Sequence, residues 1–209
     1  MKDTFATHHT RDLNADVSVP DPHQDMFSRN ILGFWIYLMT DCLIFTSLFT
    51  TYAVLHTHTF GGPSSRDIFD LSTTFAETMV LLLSSVTCGF AILSALRNEK
   101  KKIILWLAVS FIFGASFVAL ELTEFAHLVQ EGNSWRRSAF LSSFFTLVGT
   151  HGFHVSIGLL WMAVMMVQVY LFGVTVHTFR RLAIFSMFWH FLDLVWIFIF
   201  TFVYLMGVV

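Results

Sequence analysis

Charge is scarce in this sequence. Asp, Glu, Lys and Arg make up 12 % of its 209 residues, against about 25 % in soluble domains. That shortage excludes an ordinary water-facing surface. The net charge of −2 is too small for a nucleic-acid partner or a polybasic membrane anchor. Cysteine is equally sparse. Cys42 and Cys88 lie in separate apolar stretches, so they form no disulfide framework and read as small core hydrophobes. They are also too far apart in sequence for a purple-copper centre, and too few for an iron–sulfur cluster. No glycine-rich phosphate loop, Ser-His-Asp arrangement, internal repeat or low-complexity segment is present. The first 30 residues carry no apolar stretch with a cleavage site, so no signal peptide is expected there.

Apolar residues fill the space that charge leaves. They make up 56 % of the chain, and 25 of them are phenylalanine; mean hydropathy is +0.69. A polar tail, residues 1–30, holds His8, His9 and His23, with Pro20 and Pro22 near its end. It is expected to be a mobile or surface-lying tail with solvated histidines. Residues 31–209 then contain five long apolar segments: about 31–55, 75–96, 103–128, 138–172 and 182–207. Gly61-Gly62-Pro63 marks the first turn. About 20 residues cross the hydrocarbon core as a helix. None of the segments alternates with period 2, and all exceed the roughly ten residues of a barrel strand. The fold class is therefore all-α, a polytopic membrane bundle of five transmembrane helices. The fourth segment is long enough to require tilt or an extension into the headgroups.

Basic residues orient the bundle. With five crossings, Lys2, Arg11, Arg29, Arg97, Lys100, Lys101, Lys102, Arg180 and Arg181 share one side, and Arg66, Arg136 and Arg137 the other. Nine against three places the N-terminus in the cytoplasm and the C-terminus outside.

Ionisable groups at bilayer depth cost about 2.5–3.5 kcal/mol each on insertion scales. Eight call for a reason. Asp41 lies near the middle of the first segment and Glu77 near the start of the second. Glu121 and Glu124 lie in the third, His151 and His154 in the fourth, His190 and Asp193 in the fifth. The last six form three i, i+3 pairs, each on one helix face. Three chemistries are open to them: mutual packing or a lipid headgroup, proton handling, and a metal held between helices. Ser84, Ser85, Thr87, Gly89 and Ala91 in the second segment, and Gly149, Gly152, Ser156 and Gly158 in the fourth, are packing signals that let backbones approach. Trp35, Trp161, Trp189 and Trp196 offer amphipathic aromatic surface, and His190 and Arg180 are candidates for a headgroup.

The stretches GFWIYLMTDCLIF, SSVTCGFA, LELTEFAHL, FFTLVGTHGFHVSIGLLWM and FWHFLDLVWIFIFTFVYLMG occur in order. Together they resemble subunit III of the haem–copper respiratory oxidases, over nearly everything after residue 30. THGFHV and WHFLDLVW are the specific parts, rare polar residues at fixed spacing with tryptophan. Five crossings, where the cytochrome c oxidases have seven, and aspartate at Asp41, where the family has glutamate, look like the bo-type ubiquinol oxidases.

The resemblance implies a setting. The chain would be a non-catalytic accessory subunit of a proton-pumping ubiquinol oxidase in a bacterial inner membrane. It would bind no cofactor of its own, with haems and copper in subunit I. It would pack beside subunit I, with subunits II and IV in the same complex. A V-shaped cleft would retain phospholipid, and acidic groups would lie near a proton-uptake region of subunit I. The alternatives are subunit III of a cytochrome c oxidase, and a small independent transporter. The transporter would call for an inverted repeat or broken helices, and neither is visible.

Overall fold

A computed structural model describes residues 22–56, 58, 71–205 and 207, with the backbone alone for residues 22–28. Residues 1–21 of the polar tail, with His8 and His9, lie outside the described residues, as does the Gly61-Gly62-Pro63 turn. Five helices follow one another: α1 Pro22–Leu55, α2 Leu71–Leu96, α3 Lys100–Gln130, α4 Ala139–Phe172 and α5 Val176–Ile199. A π-helical stretch, Phe200–Leu205, continues α5. Among the described residues there is no strand. Each helix is long and apolar enough to cross a membrane.

Local chemistry sets the turns. Asn98 (φ 57°), Gly132 (φ 81°) and Gly173 (φ 71°) take positive φ where helices end. Ser138 caps α4, accepting from Leu141 N at 3.1 Å. Thr175 caps α5, accepting from Thr178 N at 3.2 Å. Gly173 and Thr175 together break what hydropathy alone leaves as a soft boundary between the fourth and fifth segments.

α5 is the axis of the bundle. It packs on α4, on α2 and more lightly on α1, while α3 joins α2 to α4. Half of its most apolar stretch is buried, against 17 % for α1. α1 leans on α4 and grazes α5.

Polar groups inside the bundle are knitted between helices. Ser84 Oγ donates to the Ser110 carbonyl at 3.0 Å, and Ser110 Oγ returns a bond to the Ser84 carbonyl at 3.1 Å. Thr87 and Ser110 share a hydroxyl contact of 2.7 Å. The Trp189 indole donates to Ser84 Oγ at 3.1 Å, and the Trp196 indole to Thr78 Oγ1 at 3.1 Å. These two tryptophans are 2 % and 0 % exposed, so neither offers surface to lipid. Sequence pattern cannot distinguish an interfacial tryptophan from one whose N–H is met by a neighbouring helix. Cys42 also departs from expectation: it is exposed, while Cys88 is buried.

Candidate functional site

Seven of the eight ionisable candidates fall in three places, and His151 stands apart. Asp41 on α1 is 4 % exposed. Its Oδ1 lies 4.0 Å from Nε2 of His154 on α4, within reach of an ion pair but beyond a hydrogen bond. The Tyr37 hydroxyl, one turn earlier, approaches the same carboxyl group. His154 Nδ1 is 2.8 Å from the Thr150 carbonyl. A carbonyl only accepts, so Nδ1 carries a hydrogen and Nε2 is the nitrogen that addresses Asp41. Asp41 and His154 thus form a buried acid–imidazole pair across α1 and α4.

His151 belongs elsewhere, although it is one turn from His154. It is fully buried. Its ring stacks on Trp196 at 5.1 Å and meets the edge of Phe117 at 5.9 Å. Neither ring nitrogen has a hydrogen-bond partner.

The second place gathers Glu77 from α2, Glu121 and Glu124 from α3, and Tyr204 from the π-helical stretch, all within electrostatic range of one another. Tyr204 Oη donates to Glu124 Oε2 at 3.3 Å. Glu77 is fully buried and neither of its oxygens has a partner; Glu121 Oε2 has none either. Glu77 is six residues from the start of α2, about 9 Å. Glu121 is nine residues from the end of α3. This cluster therefore sits toward the end of the bundle where Arg136 and Arg137 lie. Tyr204 has no signal in sequence, because an aromatic residue near a span end ordinarily reads as an interface anchor.

The third place is on α5, where the i, i+3 pair is split. Asp193 turns inward, 8 % exposed, while His190 is exposed on the outside of the bundle.

Among the described residues no three His, Cys, Asp or Glu side chains converge in a way that would hold a metal ion. A cleft of about 590 Å³ opens between α1 and α5, lined by Cys42, Phe45, Phe49, Phe198, Phe202 and His56 among others. Its wall is almost entirely apolar, because Thr46 and Thr50 turn their hydroxyls back onto the carbonyls of Cys42 and Thr46 at 2.7 and 2.8 Å.

Comparison with known proteins supplies what geometry alone does not. Residues 4–208 match the family described as cytochrome c oxidase subunit III. The sequence is 55 % identical over 187 residues to cytochrome bo(3) ubiquinol oxidase subunit 3 of Pseudomonas aeruginosa, covering 90 % of each chain. It is 46 % identical over 185 residues to the protein of the same name from Buchnera aphidicola subsp. Baizongia pistaciae, covering 88 % of this chain and 95 % of that one. It is 42 % identical over 193 residues to cytochrome c oxidase subunit 3 of Bacillus sp. strain PS3, covering 92 % of this chain and 93 % of that one.

Proposed function

The chain belongs to the cytochrome c oxidase subunit III family, and from that premise we propose that it is the accessory subunit III of a bo-type ubiquinol oxidase of an aerobic respiratory chain. The observation that carries this reading is the 55 % identity to a ubiquinol oxidase subunit 3 over nine-tenths of both chains. The corresponding identity to a cytochrome c oxidase subunit is 42 %.

In this reading the chain sits in a bacterial inner membrane beside subunit I, with subunits II and IV in the same complex. Haems and copper belong to subunit I. The α1–α5 cleft holds phospholipid acyl chains, since its wall offers them apolar contact over much of a bilayer leaflet. Purification through a tag on this chain, in mild detergent, tests the reading. The expected result is a larger haem-containing subunit in the eluate and turnover with ubiquinol. Turnover with reduced cytochrome c in place of ubiquinol would move the chain to the cytochrome c oxidases. Recovery of the chain alone, without haem, would favour an independent transporter and overturn the proposal.

Orientation follows from the basic residues. A reporter fused after Arg97 is expected on the cytoplasmic side and one fused after Val209 on the periplasmic side. A cytoplasmic signal from the second fusion would contradict five crossings.

Of the candidate groups, the Asp41–His154 pair is the one fitted to proton supply. It sits mid-span and sets a carboxyl group opposite an imidazole across two helices. Glu77, Glu121 and Glu124 lie toward the opposite end from the cytoplasm in this orientation, which favours a packing role for them. Asp41→Asn keeps the shape and hydrogen-bonding capacity but cannot titrate. It is expected to assemble normally and to slow turnover several-fold at alkaline pH, where proton uptake limits the rate. Oxygen-electrode assays of the purified complex across pH measure this. An unchanged pH profile with normal assembly would leave Asp41 as a packing residue.

A further inference from the structure

Asp41 is closed off on almost every side. It is 4 % exposed, 12 residues after Arg29 and 14 before Leu55, the ends of the first span. At about 1.5 Å per residue that is roughly 18 Å from one end and 21 Å from the other, out of reach of bulk water. A titratable group so placed exchanges its proton only through a neighbour that carries one. α1 packs on α4 and more lightly on α5. On α4, His154 faces Asp41 at 4.0 Å, while His151 stacks on Trp196. On α5, Asp193 turns to Ser85 of α2, and His190 holds its Nδ1 on the Ser186 carbonyl. His177, Arg180 and Arg181 sit within the first two turns of α5, at the edge of its span. On α1 itself, the Tyr37 hydroxyl comes up to the Asp41 carboxyl group.

His154 and Tyr37 are not equivalent neighbours. The His154 hydrogen is on Nδ1, committed to the Thr150 carbonyl at 2.8 Å. The neutral imidazole therefore shows Asp41 a bare Nε2, which takes a proton and has none to give. The Tyr37 hydroxyl both donates and accepts. Exposure separates them further: the His154 side chain is 15 % exposed, and Tyr37 is 43 % exposed. Tyr37 thus spans from a buried carboxyl group to the outer face of the bundle. Spacing and packing hold it there. It lies four residues before Asp41 and shares its helix face. Side chains on a helix lean toward its N-terminus, which lays Asp41 over the turn that carries Tyr37. The Tyr37 ring rests on Phe34 at 5.7 Å, and Phe34 meets Trp161 of α4 edge-on at 6.3 Å, so the phenol is braced from α4 as well.

We propose that Tyr37 is the residue through which protons enter the Asp41–His154 pair. The hydroxyl proton passes to a carboxylate oxygen of Asp41 while the same hydroxyl oxygen takes a proton from water at the outer face of the ring. The phenol ends as it began, the carboxylate has become a carboxylic acid, and His154 Nε2 is the next acceptor. One proton moves inward, and no electron is transferred. This rests on the reading of Asp41 as a proton-supplying group. Tyr37 acts through that pair, so it is a positioning residue for proton supply and touches neither quinol nor oxygen.

The test measures oxygen consumption by the purified complex across pH. Tyr37→Phe keeps the ring on Phe34 and removes only the hydroxyl. It is expected to slow turnover several-fold at alkaline pH, with the loss shrinking as the pH falls. Asp41→Asn/Tyr37→Phe is expected to be no slower than Asp41→Asn alone, as for two residues on one path. A wild-type profile in Tyr37→Phe beside a slowed Asp41→Asn overturns the proposal and leaves the reading of Asp41 standing. A loss equal at every pH, or one that adds in full to that of Asp41→Asn, also overturns it and gives Tyr37 a packing role. An unchanged profile in Asp41→Asn overturns the reading of Asp41, and the proposal with it. A second arm places 3,5-difluorotyrosine at position 37, close to tyrosine in size but with a more acidic hydroxyl. The hydroxyl gives a proton only while it holds one, so a lowered pKa is expected to move the alkaline fall in rate to lower pH. A fall that stays where it was overturns the proposal, even where Tyr37→Phe does not accumulate.

Discussion

Trp189→Ala is expected to weaken the bundle by about 3–5 kcal/mol and to strip the chain from its complex. The ring of Trp189 is wedged between two glycines on different helices. A Cβ on Gly158 of α4 would lie 2.7 Å from Cζ3, and one on Gly114 of α3 would lie 2.9 Å from Cζ2. The indole N–H reaches a third helix, donating to Ser84 Oγ of α2 at 3.1 Å. One side chain of α5 thus fixes the positions of α2, α3 and α4. In a bilayer no hydrophobic gain brings helices together, because lipid tails are as apolar as the side chains; close packing and hydrogen bonds remain. Removing the ring deletes the dispersion contacts that hold three seams, and the gap is too deep in the bundle for lipid to fill. Gly158→Val attacks the same contact from the other side. Trp189 is rigid and buried, so it cannot yield, and a cost of about 1–3 kcal/mol is expected. Trp189→Phe is expected to be the mildest of the three. It loses the N–H, but Ser84 Oγ still donates to the Ser110 carbonyl, so no group is orphaned. Reversible unfolding in mixed micelles, followed by far-ultraviolet circular dichroism, ranks the variants. Wild-type stability in Trp189→Ala would refute this account of the core.

The helices were legible in the sequence because a membrane span is a length and a composition. The segments expected over 31–55, 75–96, 103–128, 138–172 and 182–207 correspond to helices at Pro22–Leu55, Leu71–Leu96, Lys100–Gln130, Ala139–Phe172 and Val176–Leu205. The differences fall mostly at starts, and they share a cause. Lys100 to Lys102 and the HTFRR stretch of α5 are charged or polar, yet helical. Hydropathy sees the hydrocarbon boundary, whereas the backbone continues its hydrogen bonds into the headgroup layer. The i, i+3 pairs were legible only as pairs. Residues three apart on a helix differ by about 60° around the axis, enough for neighbouring helices to divide them. His154 turns to Asp41 while His151 turns to Trp196; Asp193 faces α2 while His190 faces outward. Tyr204 and Thr78 could not be picked out, because their partners lie 80 and 118 residues away in sequence. Gly152 and Gly158 read correctly as packing residues, but what they admit, a carboxyl group and an indole, appears only in three dimensions.

Gly152→Ala is expected to disturb the acid cluster by a mechanism that a second mutation can undo. A Cβ at Gly152 would lie 2.5 Å from Glu121 Oε1 and 2.6 Å from Oε2, so the missing side chain on α4 is what lets the carboxyl group lie against the helix backbone. An exposed glutamate would simply swing aside. Glu121 is 3 % exposed, and Glu77, Glu124 and Tyr204 are close enough to interact electrostatically with it. Displacement therefore drives it toward other acids or prises α3 from α4. The expected cost of Gly152→Ala is about 1–3 kcal/mol. Glu121→Gln, similar in size and shape, is expected to leave that cost unchanged, which separates bulk from charge. Glu121→Ala removes the obstructing atoms and leaves room that the new methyl group partly occupies. The double variant Gly152→Ala/Glu121→Ala should then be more stable than the two single effects added together, with a coupling of about 0.5–3 kcal/mol, the range for residues in direct contact. The same micelle unfolding assay closes the cycle, and recovery of assembled complex from membranes gives an independent readout. Strictly additive effects would mean that Glu121 does not occupy the space in front of Gly152, and the acid cluster would then need another arrangement.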